Sequence, residues 1–342
     1  MKNFKNVKFK NASPVRLESK IENLKSKINK VMFLEKSYRG NNKWYFYILT
    51  LIIVFAAVQV TSIPLAVYSI IMHPEMLSGG TNNLLAVTNT NLGLALLLFT
   101  FAGGVVALLL CVKFLHHKKT TDILTGRDRF DVKRVFFGAA TWGLLTLVLL
   151  GAQYGFGDTS HLVFQFQPFN FIMMCIVILI FIPFQVAFEE FIFRGYLMQG
   201  CILLFKYRWV ALLLTGLAFG LLHGTNPEVD RFGFWVAMPQ YILMGLLLGL
   251  IAIWDDGLEL ALGLHLANNV ISSLVVTHDA SALQTHALFK DMAPTASHTD
   301  TVVMLVCGII FLLICNRKYK FFSKINLWGK VERESIKWEV IE

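Results

Sequence analysis

Charged residues are scarce in this chain. Only 15% of its 342 residues are Asp, Glu, Lys or Arg, whereas 56% are hydrophobic. So low a charged fraction excludes an ordinary soluble globular domain, in which about 25% of the residues are charged, and it excludes a disordered chain. Most hydrophobic residues fall in runs near the roughly 20 residues that a helix needs to cross a bilayer. The composition therefore predicts one polytopic membrane domain with short polar tails.

Cysteine is also sparse, and we expect no cleavable signal peptide. The five cysteines fall in or beside apolar runs without C-x-x-C spacing, so we predict small buried hydrophobic residues rather than a disulfide framework or a thiolate metal site. The first apolar run extends from near Trp44 to about Met72, well beyond the roughly 7–15 residues of a signal-peptide core. We expect this run to be an uncleaved anchor and the first membrane span.

The placement of the positive charge argues against a nucleic-acid partner. The net charge is +9, and the Lys and Arg residues concentrate in the N-terminal segment, around residues 113–134 and in the C-terminal tail. These stretches border apolar runs, as the positive-inside rule requires of cytoplasmic segments. We therefore expect both termini in the cytoplasm, a location in the plasma (inner) membrane, and anionic lipid as a partner at the cytoplasmic face.

Eight apolar segments predict an all-α bundle of about eight transmembrane helices within residues 44–316. Their approximate bounds are 44–72, 93–112, 135–152, 169–198, 209–223, 233–254, 257–277 and 301–316. A basic tail follows at 317–342. The sequence contains no internal repeat, and it indicates no particular oligomeric state.

Residues 1–43 form a basic segment before the first span. Apolar residues recur there at alternating four- and three-residue steps, at Leu17, Ile21, Leu24, Ile28 and Val31. This spacing predicts an amphipathic helix on the inner membrane surface, with a short coiled coil as the alternative.

Apart from Glu259 near a span end, the charged and histidine side chains within the predicted spans are five: Glu189, Glu190, Arg194, His223 and His265. A charge at mid-bilayer is so unfavourable that its presence is by default a hypothesis of function. Positions four apart share a helix face, so we expect Glu190 to pair with Arg194. Glu189 is rotated about 100° away and is expected to face a cavity as an exchangeable base. The catalytic core is therefore predicted at about 169–277.

The same four-residue spacing pairs Phe219 with His223 and His265 with Asn269. Together with the glutamates, these residues indicate hydrolysis of an acyl bond by one of two routes. In one, His223 and His265 help to hold zinc or another divalent metal with an open position for water. In the other, no metal is needed: Glu189 and a histidine activate water, while His265 and Asn269 stabilise the developing oxyanion.

Three ordered segments resemble the motifs of the CPBP family, the intramembrane proteases of the CAAX prenyl protease type 2 and bacteriocin-processing (Abi) kind. They are FEEFIFRGYL at 188–197, FGLLHG at 219–224 and HLANN at 265–269, each on a separate predicted span. The resemblance implies an eight-helix membrane core and proteolysis near the membrane.

Carried over by position, the resemblance makes Glu189 the water-activating acid, joined by His223. His265 and Asn269 become metal ligands or oxyanion donors, and Glu190 and Arg194 take supporting places. The family is described both as zinc-dependent and as using a glutamate-activated water. Because no H-E-x-x-H helix is present, the usual metalloprotease mechanics do not apply directly. We expect a peptide or membrane-protein substrate without a prenyl group.

Two other classes of protein compete with this interpretation. A proton-coupled transporter would use Glu189, His223 and His265 as a relay, but it predicts ionisable residues on paired halves of the chain, and here they are confined to the second half. A catalytically silent immunity or scaffold protein would keep the same fold, and the intact motifs argue against it.

Overall fold

The computed structural model describes residues 31–72, 74, 90–323 and 325–333. These residues form the predicted all-α bundle, together with one small sheet that was not predicted. The α-helices are α1 (Trp44–Met72), α2 (Asn91–Phe114), α3 (Val132–Phe156), α4 (Pro168–Glu190), α5 (Met198–Phe205), α6 (Arg208–Leu222), α7 (Pro227–Phe232), α8 (Phe234–Trp254), α9 (Glu259–Val275) and α10 (His298–Tyr319). A π-helix, Phe191–Leu197, joins α4 to α5, and 3-10 turns occupy Glu35–Tyr38, Thr120–Ile123 and His223–Thr225.

The helices form where the chain is apolar, because a backbone within lipid must satisfy its own hydrogen bonds. Polar residues then set where several of them begin. Thr90 accepts a hydrogen bond from the amide of Gly93 at the start of α2 (3.0 Å), and Asp131 accepts one from the amide of Lys133 at the start of α3 (3.1 Å). Such caps satisfy amides that have no partner inside the helix.

Seven segments of the described residues are long and apolar enough to cross a membrane, so this is a multi-pass membrane protein. They are Trp44–Met72, Asn91–Phe114, Val132–Phe156, Pro168–Phe205, Arg208–Thr225, Phe234–Trp254 and His298–Tyr319. The remaining predicted span, 257–277, corresponds to α9, which has 17 residues. A helix of this length extends about 26 Å, slightly less than the roughly 30 Å of the hydrocarbon core. Protein surrounds much of α9, and it packs against α3, α4 and α8.

Close contact between helices depends on glycine at two crossings. A Cβ atom on Gly263 of α9 would collide with the carbonyl oxygen of Val135 in α3, and one on Gly138 of α3 would lie 2.7 Å from the carbonyl oxygen of Leu260. At the crossing of α6 and α8, a Cβ atom on Gly245 would collide with the carbonyl oxygen of Gly216. These crossings bring the backbones of the site-bearing helices together.

One end of the bundle, called here the sheet end, carries a mixed three-stranded sheet. Its strands are β1 (Leu162–Phe164), β2 (Val276–Thr277) and β3 (Phe289–Asp291), in the order β1-β3-β2. β3 is antiparallel to β1 and parallel to β2. The sheet connects the loop after α3 to the loop after α9, and His161, directly before β1, contacts Asp291 of β3 (2.8 Å).

The opposite end carries a collar, defined here as residues 31–41 and 116–127. Within it, the Lys118 ammonium donates to the carbonyl of Ser37 (2.9 Å), and the Lys36 ammonium donates to the carbonyl of Thr125 (2.7 Å). Both lysines are buried. Residues 325–333 return to the same end, where the Tyr38 hydroxyl donates to the carbonyl of Val331 (2.9 Å). The first 30 residues, which carry most of the predicted amphipathic helix, lie outside the described part of the chain.

Candidate active site

The three sequence motifs meet between α4, the π-helix, α6 and α9. Glu189 and Glu190 are the last two residues of α4, and Arg194 follows in the π-helix. Phe219 lies in the last two turns of α6, and His223 comes directly after that helix. His265 and Asn269 lie one turn apart on α9. The fold thus brings side chains from three separate predicted spans into one region.

Glu190 is the centre of a fully buried ionic cluster. Its Oε1 atom accepts a hydrogen bond from Nη1 of the Arg194 guanidinium (2.9 Å) and another from Nδ1 of His265 (2.8 Å). Arg194 also donates through Nη2 to the carbonyl of Gly245 on α8 (3.0 Å). Both Glu190 and Arg194 have no exposed surface. The ion pair expected from the four-residue spacing is therefore present, and it links α4, α8 and α9.

The contact with Glu190 fixes which nitrogen of His265 carries a proton. A carboxylate oxygen can only accept a hydrogen bond, so Nδ1 of His265 is the donor. The other nitrogen, Nε2, faces Oε2 of Glu189 at 3.5 Å. His265 thus lies between the two adjacent glutamates, with Nδ1 directed toward Glu190 and Nε2 toward Glu189.

Glu189 has a different environment from that of its neighbour. Its side chain keeps 12% of its surface exposed. Its Oε1 atom accepts a hydrogen bond from the amide of Gln185 (3.3 Å), and the amide of Asn269 donates to the carbonyl oxygen of Gln185 (3.5 Å). No cation other than His265 pairs with Glu189 among the described residues. Of the two adjacent carboxylates, that of Glu190 is therefore paired and enclosed, whereas that of Glu189 is accessible.

Gln185 and Asn268 complete a chain of polar side chains that sequence reasoning missed. The Trp142 indole N–H donates to Oδ1 of Asn268 (3.2 Å), and the Asn268 amide donates to Oδ1 of Asn269 (3.2 Å). Gln185 precedes Glu189 by one turn, so the same four-residue spacing that identified the other pairs also pointed to it. These hydrogen bonds orient the Asn269 amide toward the glutamate side of the site.

Phe219 provides an aromatic surface at the middle of the site. Its ring centre lies 4.2 Å from the guanidinium carbon of Arg194, a cation–π contact. The same ring lies 4.7 Å from that of His223 and 6.0 Å from that of His265, the latter edge-on. Phe219 is buried and contacts both histidines.

His223 stands apart from the ionic cluster. Its Nδ1 atom donates to the carbonyl of Phe219 (2.8 Å), which leaves Nε2 as its second polar atom. Its ring stacks on Tyr241 of α8 (4.7 Å), and the Tyr241 hydroxyl accepts a hydrogen bond from the amide of Asn226 (3.1 Å). Within the described part of the chain, His223 forms no ion pair with either glutamate. Tyr241 is a second site residue that the motifs did not indicate.

The side chains present do not fit a zinc site. Catalytic zinc takes three protein ligands from His, Cys and carboxylates. Across residues 31–72, 90–323 and 325–333, no group of three or more His, Cys, Asp or Glu side chains is arranged to hold a metal ion. Of the predicted ligands, His265 directs both ring nitrogens to carboxylates, and His223 uses Nδ1 on the backbone.

Comparison with known proteins places this region in a family. Residues 168–271, from α4 through most of α9, match the family model described as Type II CAAX prenyl endopeptidase Rce1-like. A relative, the uncharacterized protein YyaK of Bacillus subtilis (strain 168), is 24% identical over 245 residues, which is 71% of this chain and 81% of YyaK. No solved structure matches the chain. The match includes all three motifs and confirms the predicted family for this part of the molecule.

Proposed function

Because residues 168–271 form an Rce1-like domain of the type II CAAX prenyl endopeptidase family, we propose that this protein is an intramembrane endopeptidase with a glutamate-activated water. The supporting observation is the division between the two adjacent glutamates. Glu190 is enclosed and neutralised by Arg194, whereas Glu189 is partly accessible and faces the His265 imidazole and the Gln185 amide. A general base must be accessible to water, and a carboxylate in a strong ion pair with a cation is a weaker base.

In the proposed reaction, Glu189 takes a proton from a water molecule whose oxygen attacks the scissile carbonyl carbon. The π-bond of that carbonyl opens, and the negative charge moves to its oxygen. His223 orients the water through Nε2. Collapse of the tetrahedral intermediate breaks the carbon–nitrogen bond, and the proton passes from Glu189 to the leaving amine. Water is added across one peptide bond, and no further reactant is consumed.

His265 and Asn269 supply the donors for the oxyanion. Asn269 carries an amide N–H on the glutamate side of the site. His265 becomes a donor at Nε2 when it is protonated, because its Nδ1 already donates to Glu190 and only Nε2 remains to face the site. Removing one such donor typically lowers kcat by about 10²–10³. Arg194 keeps Glu190 in place, and Phe219 keeps both histidines in contact with one ring.

The proposed substrate is a membrane-associated peptide or membrane protein without a prenyl group, including peptides of the kind processed with bacteriocins. The bacterial source of the relative YyaK supports this choice. The collar end carries Lys36, Arg39 and Lys118, and by the positive-inside rule we assign it to the cytoplasmic face of the plasma membrane. Both termini then lie in the cytoplasm, where basic residues contact anionic lipid.

Comparison of membrane proteomes tests the activity and finds the substrate together. Cells would express the wild-type chain, Glu189→Gln or the control Glu332→Gln, a change at an exposed residue near the collar end. We expect one or more precursors to persist only with Glu189→Gln, and equal thermal stability of the three proteins in detergent. Three identical proteomes would contradict the proposed activity and favour a catalytically silent scaffold.

The purified enzyme and an identified substrate then separate the two hydrolytic routes. We expect cleavage to persist after chelation, with metal removal checked by elemental analysis. If activity is lost with the metal, returns with Zn²⁺, and the bound metal is absent from His265→Ala, then the glutamate-only mechanism is wrong. His223 and His265 would in that case be ligands.

A further inference from the structure

A buried histidine outside the three motifs contacts the π-helix that carries Arg194. His116 belongs to the collar and has no exposed surface. Its Nδ1 atom lies 2.8 Å from the carbonyl oxygen of Asn41, and its Nε2 atom lies 2.7 Å from the hydroxyl of Tyr196. Tyr196 lies in the π-helix, two residues after Arg194. Its side chain is also buried.

The partners of His116 define its protonation. A carbonyl oxygen only accepts hydrogen bonds, so Nδ1 donates to Asn41. The neutral imidazole then accepts from the Tyr196 hydroxyl through Nε2. Burial lowers the pKa of His116, and the nearby ammonium of Lys118 lowers it further, so the neutral form is favoured. One imidazole therefore connects the segment before α1 to the π-helix.

The collar holds the residues around Tyr196 from two more directions. A Cβ atom on Gly195 would lie 2.6 Å from the carbonyl oxygen of Ile123, so the π-helix backbone packs directly on the 3-10 turn Thr120–Ile123. The Gln199 amide donates to the carbonyl oxygens of Asp122 (2.6 Å) and Phe33 (3.2 Å). Hydrogen bonds from the collar thus reach the π-helix and the first turn of α5.

A π-helix needs such support, because it is rare and occurs mostly as single-turn insertions within α-helices. In this chain the insertion begins directly after Glu190 and includes Arg194. Relaxation toward α-helical winding would rotate Arg194 relative to Glu190. The Glu190 carboxylate positions His265, so the rotation would also disturb the imidazole that faces Glu189.

We propose that His116 is a positioning residue for the active site, which acts by holding Tyr196 and so fixing the winding of the π-helix that carries Arg194. The expected effect of His116 on turnover rests on the proposed peptidase function. The hold on the π-helix itself is measurable without any substrate.

Substitution of His116 by Gln or by Asn separates the roles of its two ring nitrogens, because each amide replaces one of them. In His116→Gln, the side-chain amide reaches the position of Nε2 and keeps an acceptor for Tyr196. In His116→Asn, the amide reaches the position of Nδ1 and keeps only the donor to Asn41. We expect His116→Gln to keep kcat within about twofold of wild type. His116→Asn and Tyr196→Phe should each lower kcat about tenfold or more with little change in KM, as a misplaced site predicts.

The double variant His116→Asn with Tyr196→Phe should be no slower than either single variant, because both remove the same hydrogen bond. Hydrogen exchange in nanodiscs supplies the second readout. Exchange in peptides covering residues 191–199 should rise in His116→Asn and Tyr196→Phe but not in His116→Gln. His161→Gln, the same substitution at the sheet end, is the matched control and should leave both kcat and exchange in 191–199 unchanged.

The outcomes distinguish this role from a merely structural one. If His116→Gln and His116→Asn lower thermal stability equally and leave kcat per folded molecule unchanged, the positioning role is wrong. If wild-type protein cleaves nothing, the proposed function fails, and the exchange measurement still decides whether His116 fixes the π-helix. Unchanged exchange in His116→Asn overturns the proposal whatever the activity.

Discussion

At the scale of single residues, the site gives two identical side chains opposite environments. Glu189 and Glu190 are neighbours in sequence, yet the rotation of about 100° between successive helix residues directs them differently. Glu190 points to Arg194 and His265 and is fully buried. Glu189 points to Gln185 and keeps some exposure. A buried ion pair is costly to break from one side, whereas an accessible carboxylate is free to exchange a proton.

Neutral substitutions at the two glutamates should therefore have different effects. Glu190→Gln leaves the buried Arg194 charge without its carboxylate and is expected to lower the free energy of unfolding by about 3–5 kcal/mol. The double variant Glu190→Gln with Arg194→Gln should recover part of that loss. Glu189→Gln should keep wild-type stability and lose turnover. Thermal unfolding in detergent measures all three, and an unstable Glu189→Gln beside a stable, inactive Glu190→Gln would show that the roles are reversed.

Pairing along one helix was predictable from the sequence, but pairing between helices was not. The four-residue rule predicted the contacts of Glu190 with Arg194 and of Phe219 with His223, and both are present. The same rule supplied Asn269 as the partner of His265, whereas the imidazole contacts both glutamates of α4 instead. That contact depends on how α4 and α9 pack, which spacing within a single helix does not determine.

At the scale of elements, the sequence pattern also failed to predict the π-helical winding after α4 and the short length of α9. The long apolar run at 169–198 predicted one continuous span, and the segment is helical throughout. The π-helical section could not be predicted from the sequence pattern. One extra residue per turn over Phe191–Leu197 barely changes the pattern of an almost wholly apolar run. The span at 257–277 is instead the shorter α9, bounded by Glu259 at its start and by β2 at its end.

Ionic anchoring explains why α9 begins at a charged residue. Glu259 is fully buried, and the Arg127 guanidinium donates to its Oε2 atom (2.9 Å). The same guanidinium reaches Oδ1 of Asp255 (2.9 Å), which also pairs with Arg134. Glu259 is therefore paired with the collar end rather than with the site, and it sets the start of the helix that carries His265.

Replacement of Gly263 tests the close crossing of α3 and α9. A methyl group there meets the backbone of Val135 and lies 2.8 Å from the amide nitrogen of Ala139, neither of which can rotate away. We expect Gly263→Ala to lower stability by about 1–3 kcal/mol, as overpacking does, and to reduce turnover because His265 lies two residues away. Gly151→Ala on α3, where nothing lies within 4 Å, is the matched control and should keep wild-type stability and activity. Equal stability of the two variants would contradict a backbone-limited crossing.

At the scale of the whole molecule, the two ends of the bundle differ in charge as well as in structure. The collar end gathers the basic loop, the segment before α1 and the returning residues 325–333. At the sheet end, residues 153–168 carry no Lys or Arg, and residues 277–300 carry only Lys290. α3 and α9 both run from the collar to the sheet. With α9 counted as a crossing, the seven apolar helices become the predicted eight, and for that number we expect both termini on one side of the membrane.

Cysteine labelling tests that orientation directly. Arg129→Cys would place a thiol on an exposed residue beside the collar, and Thr159→Cys would place one on an exposed residue at the sheet end. Positive residues are retained in the cytoplasm, so a membrane-impermeant maleimide should label Thr159→Cys in intact cells and Arg129→Cys only after lysis. The wild-type chain sets the background, since Cys111, Cys307 and Cys315 are buried and the other two are partly buried. Labelling of Arg129→Cys in intact cells would place the collar outside. The assignment of the charged end to the cytoplasm would then be wrong, although the packing around Glu189 and His265 would be unaffected.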